Sequence, residues 1–255
     1  ALAVCSDSGP VDLFPLLGNA GGGGTWTASN GASFNGIFDP ATLPPGAYTY
    51  TLPGACPDEQ AIVTVTVNLP PNAGPDVTIA LCSDGAAVDL SSLLTGADPG
   101  GTWAAPDGTP QGPSLDPASA SNGAYLYTLA AMAPCIGDQA AINVTVNPAP
   151  HAGANAALSL CDQGPQVDLC AQLGPAADPG GSWTGPDGLP HSTTYNPASD
   201  MPGTFTYTVM GTAPCTAASA TVTITESTTP NAGPDASIAL CSDGAAVDLS
   251  SLLIG

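Results

Sequence analysis

Three stretches of the chain alternate apolar and polar residues strictly. Val63, Val65 and Val67 are separated by Thr64 and Thr66, and Ile142, Val144 and Val146 repeat the pattern, as do Ala220, Val222 and Ile224. A period of two gives a strand one buried and one wet face, as in antiparallel sheets. Upstream of each stretch stand paired aromatics at i and i+2: Tyr48 and Tyr50, Tyr125 and Tyr127, Phe205 and Tyr207. That spacing puts both rings on one face of a second strand. Further upstream come Gly-Gly-Thr/Ser-Trp motifs ending at Trp26, Trp103 and Trp183, then Asn30-Gly31, Asp107-Gly108 and Asp187-Gly188, dipeptides that favour tight hairpins. Trp26, Trp103 and Trp183 with Tyr50, Tyr127 and Tyr207 are therefore the expected cores. A short apolar run, VTIALC at 77–82 in its clearest form, predicts an opening strand closed by a Ser-Asp-Gly turn. VDL follows in every copy, and the SSLL-type patch after it fits either one helical turn or a strand continuation.

These elements recur as a block. Residues 72–96 return at 231–255 with only three changes, at Ala236, Ser237 and Ile254, and looser copies occupy 1–18 and 151–174. Cys5, Cys82, Cys161 and Cys241 mark a period of 77, 79 and 80 residues. Such a period sets the architecture. The expected division is repeat 1 at 1–70, lacking its lead-in, repeat 2 at 71–150, repeat 3 at 151–229, and the first strands of a fourth at 230–255. Short strands, frequent turns and no amphipathic helix predict an all-β tandem array of small immunoglobulin-like antiparallel β-sandwich modules. Proline-rich links such as 148–157 act as semi-rigid spacers, which predicts a rod.

Composition narrows the setting. Eight cysteines in a chain without Lys or Arg point to an oxidising, extracellular environment. Each module carries one early and one late cysteine, Cys5 with Cys56, Cys82 with Cys135 and Cys161 with Cys215, separated by 51, 53 and 54 residues. The constant spacing predicts one disulfide within each module, tying the last turn to the end of the first strand. Closing such a loop contributes about 4 kcal/mol in the chain-entropy model. Cys170 and Cys241 are left unpaired in this window. Cys241 expects a partner 51–54 residues on, which favours a continuing chain over strand donation between molecules. A formal charge of −21 with no cation excludes nucleic acid as a partner and electrostatic attachment to an anionic membrane. No apolar run is long enough to insert.

The motifs in order, NAGPD, C-x-D-G-x-x-V-D-L, GGTW, an aromatic or leucine before Asp/Asn-Pro-Ala, and a V-T-V-T-V ending, resemble the immunoglobulin-like/PKD-like repeats of giant Bacteroidetes cell-surface adhesins, including gliding-motility adhesins of the type IX secreted kind. The resemblance spans the whole chain. It implies a secreted, cell-surface stalk with no catalytic residues to carry over.

The residues themselves offer little chemistry. His151 aligns with Asn72 and Asn231, and His191 lies in a variable loop, so neither belongs to a repeated catalytic site. The chain is read as non-enzymatic, with no cofactor expected beyond a calcium option. That option rests on aspartates recurring at module edges: Asp76 and Asp235, Asp84 and Asp243, Asp89 and Asp248. The same residues are also the standard turn and cap formers. The expected function is an extracellular structural or adhesive segment of a surface adhesin or filament. Its expected partners are other repeats of the chain, neighbouring chains in a filament, or a surface glycan or substratum. A filament subunit joined by strand donation and a glycan-binding array are the alternatives.

Overall fold

The computed structural model describes residues 1–55 and 57–252. It divides into two compact units, Ala1–Asn147 and Pro148–Gly255. The first unit contains two β-sandwich modules with separate cores, and the second contains one. All three modules are immunoglobulin-like.

Each module is built on one plan. In module 2 a five-stranded sheet runs in the order Pro110–Gln111, Thr102–Ala104, Gly123–Leu129, Asp138–Asn147, Val77–Cys82. A two-stranded sheet, Val88–Asp89 with Ser114–Leu115, completes it. Modules 1 and 3 repeat both sheets. The alternating residues fall as the period demands, with Val63, Val65, Ile142, Val144, Ala220, Val222 and Ile224 buried. The i, i+2 aromatics share that face. Tyr50, Tyr127 and Tyr207 pair directly across the strands with Trp26, Trp103 and Trp183. Their ring centroids lie 5.2, 4.9 and 5.1 Å apart. The three Trp side chains are buried.

Gly31, Gly108 and Gly188 turn the hairpins with φ of 83°, 82° and 78°, a region that L side chains avoid. The patch after VDL is a helical turn rather than a strand: Phe14–Leu17, Leu90–Leu93 and Leu169–Gln172. In modules 2 and 3 the VDL aspartate starts it, Asp89 accepting from Ser91 N–H and Asp168 from Cys170 N–H, each at 2.9 Å.

One feature departs from the antiparallel expectation. The opening strand of every module pairs parallel with its closing strand: Leu2–Cys5 with Glu59–Asn68, Val77–Cys82 with Asp138–Asn147, Ala156–Cys161 with Ala218–Ser227. Both strands therefore run from the end where the chain enters the module to the end where it leaves. The early cysteine is the last residue of the opening strand, opposite the last residue of the closing strand, as in Cys5↔Asn68 and Cys82↔Asn147. In modules 2 and 3 the late cysteine precedes the closing strand by three residues, at the entry end. A ten-residue closing strand separates the two by about 30 Å.

That distance forbids the disulfides expected within modules, since a bridge needs Cα atoms about 4.4–6.8 Å apart. Cys5 is bonded to Cys135 instead, with Cα atoms 4.9 Å apart, so the bridge joins module 1 to module 2. Neither Cys5–Cys56 nor Cys82–Cys135 forms, and Cys56 itself lies outside the described residues. Cys161 is a free thiol, so Cys161–Cys215 does not form either. Cys82 and Cys215 are also disulfide-bonded, which leaves the number of bridges near one per module while the connectivity differs.

Candidate functional site at the module ends

Each module end is assembled from the repeated polar residues. In module 2 the lead-in at Asn72 is hooked on both sides. Its N–H donates to Asp98 Oδ2 at 2.9 Å, and its carbonyl accepts from Asp98 N–H at 2.8 Å. Asn72 Oδ1 accepts from Gly74 N–H at 3.0 Å, and its amide donates to the Gly96 carbonyl at 3.1 Å. These bonds fold the chain so that Ala73, wholly buried, enters the module core. Gly74 has φ of 85°, with Leu94 Cβ 3.3 Å from where a side chain would begin.

In module 3 His151 takes the place of Asn72. Its N–H and carbonyl make the same pair of bonds with Asp178, and its Nδ1 accepts from Gly153 N–H at 3.0 Å. An imidazole nitrogen thus does the work of an amide oxygen, and His151 has a structural role.

The NAGPD aspartate has a similar one. Asp76 Oδ1 accepts from Ala141 N–H at 2.8 Å, securing the lead-in to the closing strand. Asn155 replaces it in module 3, and its Oδ1 accepts from Thr221 N–H at the same distance. A neutral carbonyl oxygen suffices, so charge is not what the position requires. Asp89 and Asp248 accept from the N–H groups of Ser91 and Ser250, and those two bonds to Ser250, N–H and Oγ, hold the Asp248 carboxyl below its ordinary range. Asp235 and Asp243 are exposed, as is Asp84. Among the described residues Asp76, Asp89, Asp235 and Asp248 join no cluster of three ligand groups.

A second repeated device lies on the Trp–Tyr pair. Gly24, Gly101 and Gly181 N–H donate to the hydroxyls of Tyr50, Tyr127 and Tyr207 at 2.7, 2.9 and 2.8 Å. Each hydroxyl in turn donates to a carbonyl, of Gly21, Asp98 and Asp178, at 2.8 Å. A Cβ on any of these glycines would meet its tyrosine ring at 2.5 Å. The second glycine of the GGTW motif is therefore dictated by the tyrosine it faces. Cavities of about 340 Å³ in module 2 and 440 Å³ in module 3 open beside these pairs.

Cys170, which has no counterpart in the other copies, lines the module 3 cavity, and its Sγ accepts from the Trp183 indole N–H at 3.3 Å. Cys241 is exposed and free. His191 Nε2 lies 3.4 Å from Asp200 Oδ2, and Ser199 Oγ donates to Asp200 Oδ1 at 3.2 Å. In that group the carboxylate stands between histidine and hydroxyl, which is not the order of a Ser–His–Asp relay.

The contact between modules 1 and 2 is centred on the bridge. Asn68, the last residue of the module 1 closing strand, donates from Nδ2 to the Ala133 carbonyl at 2.8 Å, and Cys135 Sγ lies 3.5 Å from the Asn68 carbonyl. Sequence reasoning found these cysteines but not this junction. The parallel pairing of the opening strand, which places the early cysteine at the exit end, leaves no mark in the sequence.

Three β-sandwich modules built on one plan, the first two joined by the Cys5–Cys135 bridge, define a tandem array of immunoglobulin-like modules. The chain is similar in fold to the titin I-band fragment I67–I69, at 12% identity over 80% of this chain and 88% of that one, with a TM-score of 0.49. It is also similar to the insect immune protein hemolin, at 14% identity over 89% of this chain and 74% of that one, with a TM-score of 0.39. No protein-family model matches the chain. No curated protein matches it.

Proposed function

We propose that this chain is a non-catalytic, extracellular structural or adhesive segment, one stretch of the stalk of a long bacterial surface adhesin or filament. The observation that carries the reading is the through-going geometry of each module. Parallel opening and closing strands put entry and exit at opposite ends, and a covalent bridge from Cys5 to Cys135 fastens one module to the next. A protein that uses cysteines this way works where disulfides persist, outside a reducing cytosol. Among the described residues no helix is long and apolar enough to cross a membrane. The resemblance of the motifs to repeats of Bacteroidetes surface adhesins supports the finer assignment.

A glycan-binding array has less support, because binding platforms for sugars use exposed aromatic rings. Among the described residues no Trp, Tyr or Phe is exposed. Antibodies against the chain, applied to intact and to lysed source cells, test the reading. Labelling of intact cells that protease treatment removes is the expected result. Signal that emerges only after lysis would overturn it.

A further inference from the structure

We propose that Cys161 is the docking thiol for another module, and that it forms a disulfide with that module's late cysteine. The inference needs only the tandem arrangement and holds whether or not the chain is adhesive. Three observations carry it. Cys161 ends the third opening strand at the register position of Cys5 and Cys82, pairing with Ser227 at the end of its closing strand as they pair with Asn68 and Asn147. Both equivalents are disulfide-bonded, and Cys5 is bonded to the late cysteine of the following module. Cys161 alone of the three is exposed and free.

The surroundings of Cys161 are already set. Asp162 N–H donates to the Ser227 carbonyl at 3.1 Å, matching Ser6 N–H to Asn68 and Ser83 N–H to Asn147. Asp162 Oδ1 accepts from both Thr229 N–H, at 2.9 Å, and Thr229 Oγ1, at 2.6 Å. The exit end of module 3 thus repeats the backbone bond found at the exit end of module 1, where Cys135 is received.

The ligand is defined by its chemistry: a cysteine three residues ahead of a closing strand, as Cys135 precedes Asp138 and Cys215 precedes Ala218. Cys56 stands at the same sequence distance from Glu59. Bond formation removes two protons and two electrons from the two thiols. A small-molecule disulfide such as oxidised glutathione accepts them and leaves as two thiols, the Cys161 thiolate attacking the mixed disulfide on the late cysteine.

Two sources could offer that cysteine, a following module of the same polypeptide or a second copy of this chain. The test uses the full chain and the same chain extended after Gly255 by a copy of residues 97–147, which completes the repeat begun at 231; the copy carries Met132→Leu at an exposed position, so that its late-cysteine peptide differs in mass from the native one. Both are oxidised in a glutathione buffer, free thiols are alkylated, and linked peptides are mapped after Asp-specific cleavage. The Cys5–Cys135 peptide reports correct folding in every sample.

In the extended chain the expected result is a linked peptide joining Cys161 to the added late cysteine, with Cys161 protected from alkylation. In the unextended chain, a ladder on non-reducing gels carrying Cys161–Cys56 would support the proposal with a second copy as the source. A monomer whose Cys161 becomes protected only on extension would support it with the same polypeptide as the source. Cys161→Ser should abolish either product, while Cys170→Ser leaves it intact. If Cys161 is alkylated in both chains while Cys5–Cys135 forms, or links to Cys241, the proposal is overturned.

Discussion

Removing the Tyr127 hydroxyl isolates the device that links the GGTW motif to the core. Tyr127→Phe keeps the ring packed at a tilt against Trp103, so only two hydrogen bonds are lost, from Gly101 N–H at 2.9 Å and to the Asp98 carbonyl at 2.8 Å. Each is worth about 1 kcal/mol net. The expected cost is about 2 kcal/mol, confined to module 2. Hydrogen exchange read by mass spectrometry on the whole chain resolves the modules separately. Amides of the 123–129 strand should lose protection by about 30-fold, as that free energy requires. The strand at 203–209 should be unaffected. Tyr125→Phe is the control, since its hydroxyl makes longer bonds, to the Ser121 carbonyl at 3.1 Å and from Ser121 N–H at 3.2 Å, and should cost less. A loss below about threefold for Tyr127→Phe, or an equal loss for Tyr125→Phe, would refute the account of the paired glycine.

Three further outcomes are expected. Asp76→Asn should leave the thermal stability of module 2 within about 0.5 kcal/mol, because Asn155 does the same work in module 3, whereas Asp76→Ala should cost about 1 kcal/mol by freeing Ala141 N–H; calorimetry on the two variants decides it. Burial and the Glu226 carboxylate, 2.6 Å from its hydroxyl, push the Tyr195 phenol well above its ordinary range. The stability it contributes is therefore fully present below about pH 10 and is lost as pH rises beyond that, and Tyr195→Phe should flatten this alkaline part of the module 3 melting profile. Chelation of calcium should leave the melting temperature unchanged, since Asp76, Asp89 and Asp248 each hold a backbone N–H through one oxygen and join no cluster of ligand groups among the described residues; a fall of several degrees would reopen a calcium site at the module edges.

Much of the fold was legible because period-two alternation and the Trp–Tyr spacing report which face each strand buries. Tyr127 and Trp103 could be placed on one core from spacing alone. Strand direction was not legible. A period of two reads the same in parallel and antiparallel pairs, so nothing in VTIALC told that 77–82 runs alongside 138–147 in the same sense. The cysteine error followed directly. Separations of 51 to 54 residues repeat whether a bridge closes within a module or reaches the next, because a tandem repeat preserves both spacings. His151 and Asn155 show the other limit. Each departs in residue type from its counterpart in NAGPD, yet each supplies an acceptor at the same place through a different side chain, which a comparison of residue types hides.

The bridge between Cys5 and Cys135 also alters how tension would travel. Pulled from its start, the chain loads the Leu2–Cys5 strand, which lies parallel beside the closing strand of its module. At Cys5 the force crosses to Cys135 and continues along Asp138–Asn147, so everything between the two sulfurs lies off the load line. The chain between them, a sequence separation of 130, amounts to about 450 Å of extended chain that cannot be drawn out while the bond holds. Module 1 beyond its first strand and most of module 2 can then unfold and refold without lengthening the tether. Extensibility in such an array is governed by the redox state of its junctions more than by the strength of its cores.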